Sequence, residues 1–108
     1  MITEEEVEKA IYYLRDSAPE YGRLKGRARA LAFRLKVTES DEFLQVQGGS
    51  VEHRKAVARS SDSYKNLVEE YENTEIEALT IEAKRESCLQ VISYYQSRIK
   101  AHGQGLYL

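Results

Sequence analysis

From Val7 to Leu35, the residues Val7, Ala10, Leu14, Ser17, Tyr21, Leu24, Ala28, Leu31 and Leu35 recur at alternating steps of three and four. At that spacing the side chains form one stripe along an α-helix, and the stripe demands a partner helix with the same repeat, so coiled-coil-like packing is predicted. A second run supplies the partner: Tyr64, Leu67, Tyr71, Thr74, Ala78, Ile81, Arg85, Cys88, Ile92, Tyr95 and Ile99 keep the same step. Between the runs, Gln47-Gly48-Gly49-Ser50 is the clearest breaker, because paired glycines favour a turn and Ser50 can cap the next helix. Two long helices joined by a compact turn fold back on each other. The expected fold is therefore all-α: an antiparallel helical hairpin of two long helices, with a short helix at the turn.

Local signals set the boundaries. Thr3 followed by Glu4, Glu5 and Glu6 is a helix start, in which the hydroxyl caps a backbone N–H and the acids suit the helix dipole. The first helix is placed at about 4–45 and is expected to kink at Pro19, which removes a backbone donor and crowds the carbonyl four residues earlier. The alternative is a restart with Ser17 as cap, dividing the helix into Glu4 to Asp16 and Pro19 to Gln45. A short helix at about 51–59 ends where Ser60-Ser61-Asp62-Ser63 offers several caps in a row. The third helix is placed at about 63–101, and Gly103 and Gly105 leave a tail at 103–108. Val68, Ile76, Leu79, Leu89, Val91 and Tyr94 widen the apolar stripe of the third helix beyond a two-stranded seam, which implies more than one partner helix.

At 108 residues the chain is expected to be a single helical domain. Sixteen Lys and Arg against eighteen Asp and Glu leave a net charge of -2, so a nucleic-acid role would need charge segregated along the chain. Such segregation exists in Tyr21 to Val37, YGRLKGRARALAFRLKV. On a helix, Leu24, Ala28, Leu31 and Leu35 form one apolar row, while Gly22, Gly26, Ala30, Phe33 and Val37 form a second on nearly the opposite side. Arg23, Arg27 and Arg34 fill one flank between the rows, and Lys25, Arg29 and Lys36 fill the other.

Two readings of the cations compete. They could track a phosphate backbone, each releasing a counterion, with Tyr12, Tyr13 or Phe33 stacking on bases. Alternatively they are a solvated flank paired with the acidic run Glu69, Glu70, Glu72, Glu75 and Glu77. If Val46 and Asp62 are level, facing residues have numbers totalling about 108, which sets Arg34 and Lys36 near Glu72 and Glu75. The same register brings Tyr12-Tyr13 and Tyr94-Tyr95 together at the open end of the hairpin, a candidate recognition surface or a half-buried core. The opposite flanks of the two basic rows weaken the case for a single nucleic-acid groove. The second apolar row is then the candidate oligomer or partner face. Glycine costs about 1 kcal/mol against alanine inside a helix, so Gly22 and Gly26 suggest close approach by another helix.

Reactive chemistry has little to stand on. His53 and His102 lack neighbouring ligands at metal spacing, and the lone Cys88 occupies a core position where a thiol is inert. Arg85, the charged member of the second apolar set, is expected to snorkel or to pair with Asp16 or Glu20. No glycine-rich phosphate loop follows a strand and no Ser-His-Asp arrangement is suggested, so neither an enzyme nor a cofactor is expected. A single Cys points to a reducing setting, and the acidic start MITEEEVEKA argues against a signal peptide or membrane span, giving a cytoplasmic expectation.

The segments TEEEVEKAIYYLRDSAPEYGRLKGRARAL and GGSVEHRKAVA, with the long helix after them, resemble small helical proteins encoded by tailed bacteriophages and prophages. Pro19 and the paired Gly48 and Gly49 depart from that group, which has an unbroken first helix and one Gly before the Ser. Proteins of that group are typically of uncharacterised function and often encoded near genes for DNA recombination or replication, and the resemblance carries over no site residues. The functional expectation is a non-enzymatic, self-associating protein acting through protein contact, with a nucleic-acid-binding accessory as the alternative.

Overall fold

A computed structural model describes residues 1–103. It contains three helices in order, α1 (Glu4–Gln45), α2 (Val51–Arg59) and α3 (Asp62–Gly103), and no strand among the described residues. The two long helices pack as an antiparallel hairpin with the short helix between them in sequence. The part of the tail at 104–108 lies outside the described residues.

Each helix start uses a short polar side chain. Thr3 Oγ1 accepts from the Glu6 N–H at 3.2 Å, and Ser50 Oγ accepts from the His53 N–H at 3.1 Å. Ser61 does the same for the Tyr64 N–H at 3.2 Å, so of the serines offered at 60–63 it is Ser61 that starts α3. The reversal falls at Gly48 and Gly49, with φ of 82° and 91°, a left-handed backbone that side chains resist. At Gly49 a Cβ would also lie 2.5 Å from His53 Cδ2.

α1 runs unbroken through Pro19, so the helix does not restart there. The predicted inward rows are the observed ones. In α1, Ala10, Leu24, Ala28 and Leu31 are buried, and Val7, Leu14, Ser17, Tyr21 and Leu35 are half-buried. In α3, Ala78 is buried and its companions from Tyr64 to Tyr95 are half-buried, whereas Ile99 is 56% exposed. The expected extra partners of α3 are not found among the described residues: Ile76, Leu79, Leu89 and Tyr94 are exposed.

The chain forms two compact units, Met1–Gly22 with the segment from Leu79 onward, and Arg23–Ala78. In the first, Arg85 Nη1 donates to the Leu14 carbonyl and Tyr95 Oη donates to Glu4. In the second, Arg27 pairs with Glu70, Arg59 with Glu39, and Arg54 lies 5.9 Å from the Phe43 ring centre. Facing residues in these pairs have numbers totalling about 98, not the expected 108. The reason lies in α2, which does not sit across the turn. It runs back along the end of α1, so the return arm begins at Val51 and is interrupted at Ser60-Ser61.

Candidate functional site

The corrected register reassigns three groups of residues. Arg27, not Arg34 or Lys36, meets the acidic run, through Glu70. Tyr95 reaches Glu4, while Tyr13 borders Lys84, Ser87 and Cys88, so the two tyrosine pairs do not form one cluster. Arg85 turns to a backbone carbonyl and a hydroxyl in place of the expected Asp16 or Glu20. Its Nη1 donates to the Leu14 carbonyl at 2.7 Å and to Ser17 Oγ at 2.8 Å, and its guanidinium lies 5.2 Å from the centre of the Tyr21 ring. The Tyr21 hydroxyl in turn donates to Glu82 Oε1 at 2.7 Å, and this bond raises the phenol above its ordinary range by favouring the protonated form. Burial, and then Glu4, push the Tyr95 phenol in the same direction.

This network lies on the turn before Pro19. The carbonyl that Pro19 leaves without its helical donor is that of Arg15, whereas Arg85 donates to the carbonyl of its neighbour Leu14. Ser17 and Arg85, polar members of two otherwise largely apolar rows, meet across the seam. The network links Arg85 to the Leu14 carbonyl and Ser17, and Tyr21 to Glu82, across the seam.

The second apolar row of α1 is exposed. Phe33 is 68% accessible and Val37 42%, Ala30 is exposed, and a Cβ built on Gly22 or Gly26 would meet nothing within 4 Å. Leu44, farther along the same face, is 80% accessible. Among the described residues nothing lies within 4 Å of a Cβ built on either glycine, so no described part of the chain accounts for them. Around this row Arg23, Arg29, Arg34 and Lys36 are exposed, and Lys25 and Arg27 are half-buried. The face therefore presents an apolar centre between cationic borders.

A recess of about 320 Å³ where α2 meets α1 is lined by Glu39, Ser40, Phe43, Leu44 and Lys55. Cys88 is half-buried beside Ala10, Lys9 and Val91. Among the described residues no group of three or more His, Cys, Asp or Glu is placed to hold a metal ion, and no helix is long and apolar enough to cross a membrane. Comparison with family models, curated proteins and solved structures returned no match.

Proposed function

We propose that this chain is a non-enzymatic accessory protein, of the kind carried by tailed bacteriophages and prophages, that acts in the cytoplasm through protein contact and self-association. The observation that carries the reading is the outward row of α1, where Phe33 and Val37 are exposed beside two glycines with no neighbour. Each glycine costs the helix about 1 kcal/mol relative to alanine. A helix from another copy, approaching over Gly26, would give that cost a purpose and cover Phe33. The phage affiliation is supported by the resemblance of the N-terminal and turn segments, and the cytoplasmic setting by the single, unpaired Cys88.

Light scattering tests the reading. The wild-type mass should exceed the 12.4 kDa of one chain, and Gly26→Leu, which fills the approach path, should lower it. Unchanged mass together with unchanged melting would count against the contact.

One observation favours the nucleic-acid alternative, an accessory of recombination or replication: Arg29, Arg34 and Lys36 are exposed, and the expected pairing of Arg34 and Lys36 with Glu72 and Glu75 does not form. Binding to single-stranded DNA that weakens with salt, and is lost on Arg34→Gln with Lys36→Gln, would support that alternative.

A further inference from the structure

Within Arg23–Ala78 the outward faces of α1 and α3 carry predominantly opposite charge around apolar centres, with exposed Lys65 the one cation on the outward face of α3. On α1, Phe33 and Val37 are bordered by exposed Arg29 and Lys36 on one flank and exposed Arg34 on the other. On α3, Ile76 is 63% accessible, and Glu69 and Glu72 lie within about 40° of it around the helix, both exposed. Glu77 extends the acidic border on one flank and Glu75 on the other. Arg27 and Glu70 meet on the intrachain side, so their pairing leaves the outward residues of both faces pointing away from the seam.

We infer that the partner of the basic face is a second copy of this chain, which seats the acidic outward face of its α3 on the outward face of α1. The inference rests on the self-association proposed above and adds its mode. Packing α1 on a second α1 would set cations against cations, and α3 on α3 would set acids against acids. Like-charge juxtaposition is strongly unfavourable across an interface, whereas the crossed pairing is complementary. It also covers Phe33 and Val37 with Ile76. Because each copy then uses two different faces, the contact is heterologous, and it propagates into a ring or a filament rather than stopping at a symmetric pair.

Two charge-reversed variants test this, with helix content checked by circular dichroism. Arg29→Glu/Arg34→Glu/Lys36→Glu makes both outward faces acidic, and Glu69→Lys/Glu72→Lys/Glu77→Lys makes both basic. Each variant alone should fall to the mass of a single chain, and an equimolar mixture should recover a mass above it. If the wild type associates and the mixture stays monomeric, or if either variant alone keeps the wild-type mass, the crossed pairing is wrong while self-association stands. If the wild type itself remains at 12.4 kDa, self-association falls and the crossed pairing with it.

Discussion

Between Met1 and Gly22, α1 is tied to α3 by polar side chains that reach across the seam: Arg85 to Leu14 and Ser17, Tyr21 to Glu82, and Tyr95 to Glu4. Between Arg23 and Ala78 the burial is deeper, with Leu24, Ala28 and Ala78 at 4% exposure or less and Leu31 at 0%, and the ion pairs Arg27–Glu70 and Arg59–Glu39 lie beside it. The first unit joins its two helices through hydrogen bonds centred on Arg85 and Tyr21, while the second holds the one large side chain that is fully buried among the described residues, Leu31.

The largest effect is expected at Leu31, the one large side chain that is fully buried among the described residues. Leu31→Ala should cost about 2–5 kcal/mol in urea unfolding, since the cavity adds to the lost transfer energy. A loss below about 1 kcal/mol would show that the apolar seam is not what holds the second unit.

Arg85→Met keeps the length and removes the donors. It should cost about 1.5–3 kcal/mol, because hydrogen bonds from a charged group are lost at a half-buried acceptor. If pairing with surface carboxylates were its role, Arg85→Lys would retain full stability; the fork to Leu14 and Ser17 predicts that lysine recovers only part of it.

The smallest effect sharpens the contrast between the two faces of α1. Gly26→Ala should raise stability by up to about 1 kcal/mol in samples dilute enough to be monomeric, since a Cβ there meets nothing. Destabilisation in the monomer would mean that this face already has a neighbour within the chain.

Much of the fold is legible in the sequence. The alternating three and four steps name the inward rows, and Thr3, Ser50 and the paired glycines locate two helix starts and the reversal to within a residue or two. The register is not legible from the turn alone, because a short helix after paired glycines can lie across the hairpin end or run back along it. Here Arg59 and Arg54 run α2 back along Glu39 and Phe43. The resulting shift of about ten in the facing numbers displaces Arg34, Lys36, the tyrosine pairs and the partners of Arg85 together. Ser17 and Arg85, polar residues in two apolar rows, do meet, but their numbers total 102 and so give the register only to within about one turn. Ile99 leaves the inward row near the end of α3, where α1 begins at Glu4 and offers little helix to pack on. The outward row of α1 is legible as a face, but its partner is not, because periodicity reports that a surface is apolar and not what covers it.

We propose this outward row of α1 as a contact between molecules. The direct measurement is the solution mass of the wild-type chain by light scattering across a dilution series. The expected mass exceeds 12.4 kDa, falls toward that value on dilution, and falls earlier for Gly26→Leu. A wild-type mass fixed at 12.4 kDa at every concentration would contradict it.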